Sequence, residues 1–184
     1  MRILILNILI AFSLSGFAQV KYEITPNSLG NIKLGDPISK LSKIFPSNSI
    51  SKIPVHEFYL GGEGEGYLII INKTDSLMFI WSKDYDKTIG GIICLSEKYK
   101  TKDNLGIGTT LLEVENSHPY IYLRSDYNYG AYEYVTVKYS NGFINFQVMN
   151  NGNQIGKYDP NLIDEPATKE YDRLTTVDRL AIWK

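Results

Sequence analysis

Residues 133–149 read EYVTVKYSNGFINFQVM, and this stretch restricts the fold more than any other. Val135, Val137 and Tyr139 alternate with Thr136 and Lys138; Ile144, Phe146 and Val148 alternate with Asn145 and Gln147. A period of two predicts strands with one buried face. Ser140-Asn141-Gly142 between them is tight-turn chemistry, so the two runs predict a β-hairpin. TVDRLAIWK, residues 176–184, supplies one further strand.

The first half carries the same plan. GYLIIIN, the turn KTD and SLMFIWSKD predict a second hairpin, and TIGGIICLSEK its following strand. A helix start precedes each set. In IKLGDPISKLSKIFP, residues 32–46, Asp36 is placed to cap and Pro37 suits a first turn. Ile38, Leu41 and Phe45 then fall on one helical face. In LGIGTTLLEVENSHP, residues 105–119, Thr110 and Glu113 have capping-box spacing. Leu111, Val114 and His118 take the places of Ile38, Leu41 and Phe45, and Gly108 and Pro119 those of Gly35 and Pro46.

The expected fold class is therefore α+β: two tandem pseudo-repeats, each a helix packed on a small antiparallel sheet. The first spans residues 19–102. The second spans 103–184 and carries an insertion at about 150–175, rich in Asn, Gly, Asp and Pro. Leu68 to Ile71 and Leu77 to Trp81 are apolar on both strand faces, which predicts cover on both sides. The two stretches IKLGDPISKLSKIFP and LGIGTTLLEV resemble the β-lactamase-inhibitor-protein architecture and the small outer-membrane-assembly lipoproteins that share its helix-plus-sheet unit. The resemblance implies an exported protein-binding module. The chain departs from those families in lacking paired cysteines and a lipidated N-terminus, and no functional residue is carried over.

The N-terminus reads MRILILNILIAFSLSGFAQV. Arg2, an apolar run too short to span a bilayer, and Gly16 and Ala18 at the −3 and −1 positions have the layout of a signal peptide over residues 1–18. The expected localisation is secreted or periplasmic, with no transmembrane segment in the mature chain. The 19 basic and 20 acidic residues nearly balance, so charge gives no attraction to nucleic acid. Cys94 is the only cysteine, which rules out an intrachain disulfide and leaves the core to hold the fold. Its apolar surroundings in GGIICLSEK predict a buried, inert thiol.

Chemical motifs are sparse. LGGEGEGYL lacks the Lys-Ser/Thr ending of a phosphate loop and leads into a strand. His56 and His118 form no zinc-protease pattern, and His118 takes a helix-face position suited to packing. Asp159, Asp164, Glu165, Glu170 and Asp172 fit no EF-hand spacing, so the insertion reads as a solvated loop, with calcium left open. No cofactor or metal is expected.

Tyrosine is the anomaly. Seven of the 14 tyrosines lie between residues 120 and 139. Tyr134 and Tyr139 suit strands. Tyr127, Tyr129 and Tyr132 sit in the turn-like SDYNYGAY, where tyrosines supply rigid contact area with a hydroxyl. They are the candidate binding residues, expected on the surface against a protein or glycan partner. The expected function is a non-catalytic exported binding module of periplasmic inhibitor or immunity type. The alternative is a small envelope hydrolase or a glycan-binding protein.

Overall fold

The computed structural model describes residues 22–61, 64–82, 87–126, 131–150, 152–159, 161 and 166–184. The expected leader, residues 1–18, lies outside them, as do Tyr127 and Tyr129. Three short strands, β1 (Ile24–Thr25), β2 (Ser28–Leu29) and β3 (Ile32–Lys33), form a small antiparallel sheet. Nine more form one large antiparallel sheet. In chain order they are β4 (Ile50–Pro54), β5 (Glu65–Ile71), β6 (Asp75–Ser82), β7 (Ile89–Cys94), β8 (Leu123–Ser125), β9 (Tyr132–Tyr139), β10 (Gly142–Met149), β11 (Ala167–Thr168) and β12 (Arg179–Trp183). Their order across the sheet is β11-β8-β9-β10-β12-β7-β6-β5-β4.

Both expected hairpins form. Gly142 stands opposite Tyr139 across the turn of the second, and β5 pairs with β6 in the first. The expected architecture does not form. The protein is mostly β, and the strands of both halves join one continuous sheet in place of two helix-on-sheet units. The joint is β12 paired with β7, Ile182 opposite Ile92. Every residue of β7 is buried. A strand apolar on both faces makes a costly open edge, and pairing on both sides removes it.

The first expected helix also shrinks, to a 3-10 turn at Ile38–Lys40 and a single α-turn at Leu41–Ile44. Only eight residues separate Pro37 from Pro46, and so short a helix gains little on its own. Asp36 does not cap it. Its carboxylate accepts from the Lys33 amide and pairs with Lys40. The second helix, Leu111–Ser117, carries the expected capping box: the Glu113 amide donates to Thr110 Oγ1, and the Thr110 amide to the Glu113 carboxylate.

Alternation gives the large sheet two different faces. One buries Ile69, Met78, Ile80, Ile92, Cys94, Leu180, Ile182, Phe146 and Val135 in the main core with Leu29, Ile32, Leu41, Leu111 and Val114. The other carries a smaller cluster, Val55, Phe79, Ile93 and Ala181, covered by the 3-10 segment Val55–Phe58. Beyond that cover, polar residues take over: Gln147 and Asn145 on β10, Arg179 on β12, and Tyr134 and Thr136 on β9. The expected insertion is not all loop, because β11 lies within it and pairs with β8.

Candidate functional site

The second face of the sheet holds both tryptophans of the chain. In the strand register Trp81 of β6 and Trp183 of β12 both stand opposite Gly91 of β7. Residues directly opposed across antiparallel strands share a face, so Trp81, Gly91 and Trp183 form one row. The missing side chain at Gly91 lets the Trp81 indole lie against the backbone, in space that a Cβ would occupy. Behind it the rings continue: Phe79 stacks near Trp81 (centroids 6.3 Å apart), and Phe58 stacks on Phe79 at 4.0 Å. Trp183 is 47 % exposed.

Trp183 separates two recesses. One, of about 280 Å³, is lined by Leu60, Trp81, Gly90, Tyr132, Trp183 and Lys184. The other, of about 430 Å³, runs along β9 and β10, with Tyr134, Thr136, Phe143 and Asn145 among its walls. Among the described residues no Asp, Glu, His or Cys side chain lines either. What these walls offer is aromatic area, amides, hydroxyls and one ammonium.

A buried cation supports the floor. Arg179 lies directly opposite Gln147, and its Nε donates to Gln147 Oε1. Its guanidinium carbon is 4.8 Å from the Tyr132 ring centroid and 5.8 Å from that of Tyr59. Burial pulls the guanidinium below its ordinary value, with the Tyr132 and Tyr59 phenols acting the other way; an arginine stays charged regardless. Burial, with Asp126, raises the Tyr132 phenol to about 12, Arg179 opposing. Tyr59 reaches this position from a left-handed backbone conformation, φ 57°, at the end of the Val55–Phe58 turn.

The candidate tyrosines fare differently from one another. Tyr127 and Tyr129 lie outside the described residues. Tyr132 does not stand on the surface as expected: it is 9 % exposed, because it opens β9 on the face that packs against Arg179. It still forms a wall of the smaller recess. Sequence reasoning missed Trp81 and Trp183. A signal was present, since FIWSK and AIWK each carry Ile-Trp at or next to the end of a strand. His118 and Cys94 have structural surroundings, while His56 is exposed. His118 contacts Asp103 at 3.1 Å and the Tyr139 ring edge-on. Cys94 is buried. Among the described residues no three His, Cys, Asp or Glu side chains converge as metal ligands, with Asp164 and Glu165 lying outside them.

The chain is similar in fold to the uncharacterized protein YfeY of Escherichia coli, with a TM-score of 0.53 and 11 % identity over 88 % of this chain and 99 % of that one. No protein family and no curated protein matches the chain. The likeness to the β-lactamase-inhibitor-protein architecture finds no support among these comparisons. No helix among the described residues is long and apolar enough to cross a membrane.

Proposed function

We propose that this chain is an exported, non-catalytic binding protein, of inhibitor or immunity type, that holds a partner protein against the Trp81–Gly91–Trp183 row. The observation that carries the reading is the placement of both tryptophans on one row of the sheet's second face, with a recess on either side of Trp183. Tryptophan, tyrosine and arginine dominate the energetically important centres of protein interfaces. Tyr132 lines the smaller recess with both tryptophans, and Arg179 packs against the Tyr132 ring. The signal-peptide layout of residues 1–18 supports export.

The test is capture from an envelope extract by the mature chain and by Trp183→Ala. Trp183 is half exposed, so its truncation leaves the core in place. Removing an interface centre of this type costs about 2 kcal/mol or more, about thirtyfold in affinity, so the variant should lose the partner. Capture of the same proteins by both would overturn the reading.

A glycan is the second reading, and the larger recess favours it. The Thr136 hydroxyl donates to Asn145 Oδ1 at 2.6 Å, which leaves the Asn145 amide nitrogen as a donor beside Trp183. An aromatic platform next to an amide suits a sugar ring. Saturable binding of soluble cell-wall glycan fragments, lost in Trp183→Ala, would select this reading over the first.

A further inference from the structure

The opposite side of the sheet carries a third, separate recess. It has a volume of about 400 Å³ and opens between the β2–β3 turn, the Leu41–Ile44 turn and the β5–β6 hairpin. Its floor is core: Leu29, Ile32, Leu77, Met78 and Tyr99 are all buried. Its rim is apolar yet open to solvent, with Tyr22 48 % and Ile44 36 % exposed. A solvated hole reaching the core, edged by exposed apolar side chains, keeps apolar surface wet on both counts. Filling it with an apolar chain removes that surface from water.

The polar groups of the mouth define the other end of the occupant. They are Asn31, Asn72 and Lys98, and among the described residues no acidic side chain lines the recess. The Lys98 side chain is exposed and pairs with no carboxylate among the described residues. The opening therefore offers one ammonium and two amides above a floor that is apolar apart from the Tyr99 hydroxyl. The volume lies at the low end of small-molecule sites, which suits one slender chain and not a two-chained lipid.

We propose that this recess binds a free single-chain amphiphile with an anionic head, its tail among Leu29, Ile32, Leu77 and Met78 and its head at Lys98. The site is independent of the Trp81–Trp183 surface, which lies on the other face of the sheet.

The experiment uses the mature chain and sodium decanoate below its micelle-forming concentration, with decanol and decyltrimethylammonium as head-group controls, followed by calorimetry. Decanoate should bind at one site and shift the Met78 methyl resonance while leaving that of Met149 in place. Lys98→Gln, a change at an exposed side chain, should weaken decanoate about tenfold, the usual worth of a charge-assisted contact, and leave decanol within about twofold. Ile71→Trp, which fills the recess from its half-buried wall, should abolish binding of both, while anionic phospholipid vesicles should bind neither form. Four results would each overturn the proposal: no decanoate binding, equal or tighter binding of the cationic analogue, an unchanged affinity in Lys98→Gln, or vesicle binding that Ile71→Trp leaves intact.

Discussion

The indole of Trp81 rests on Gly91, its direct cross-strand neighbour, and occupies the space that any larger residue at 91 would need. Gly91→Ala must therefore push the ring off the sheet. Overpacking of this kind costs about 1–3 kcal/mol. Urea unfolding should show that loss, and tryptophan emission should shift as the indole leaves its seat. Gly61→Ala, with open space around position 61, serves as the control and should be close to neutral.

Tyr132 is predicted to support the fold. Its ring packs on Arg179 and is almost fully buried. Truncation of a buried aromatic costs roughly 3–5 kcal/mol, whereas a surface change stays within about 0.5 kcal/mol. Tyr132→Ala should fall in the first range and Tyr132→Phe, which keeps the ring over the guanidinium, near the second. Chemical denaturation distinguishes them directly.

Glu133 makes stability depend on pH in an unusual direction. Its side chain is 0 % exposed and accepts from the amides of Ile155 and Gly156. Burial raises its pKa above the ordinary carboxylate value, with those two amide bonds only partly opposing. A raised pKa in the folded state means that the folded chain holds the proton more tightly than the unfolded one. The resulting stabilisation is full below the unfolded value of about 4.3 and is lost as pH rises through the folded value. Glu133→Gln retains an acceptor for the two amides and carries no charge. Its stability relative to the parent should therefore improve between pH 4 and pH 7, read from unfolding free energies at the two values. A constant difference would sink the assignment.

Cys94 is predicted to be silent in the folded protein. Burial pushes its thiol up to about 11, and only the thiolate attacks a disulfide reagent. At pH 8 a colorimetric thiol reagent should leave the native chain unmodified and react with one equivalent in denaturant. Rapid labelling without denaturant would show that the core opens.

The local elements were legible because their causes are local. The Ser140-Asn141-Gly142 turn, the alternation on either side of it and the Thr110–Glu113 capping box each depend on residues a few positions apart, and each forms as read. Asp36 was misread because the same aspartate that can cap a helix can also hold a turn, and a bond to Lys33 competes for it. The merging of two halves into one sheet depends on Ile92 meeting Ile182, a pairing that no local pattern encodes. The tryptophan row was hidden for the same reason. Trp81 and Trp183 become neighbours of Gly91 only after the register of three strands is known. Tyr132, conversely, lies in a run whose composition resembles a turn, and its burial comes from Arg179 on a distant strand.

The central position of β12 also sets the order in which the molecule can assemble. The β5–β6 and β9–β10 hairpins are built from near neighbours in the chain and can form on their own. Closing β12 between β10 and β7 brings Leu180 to Cys94, and such distant pairing is intrinsically slow. Until it happens, β7, apolar on both faces, and β10, apolar on one, each present a free hydrogen-bonding edge, the template through which chains join one another. Refolding is therefore a race between intramolecular closure and self-association, and its yield should fall steeply as protein concentration rises.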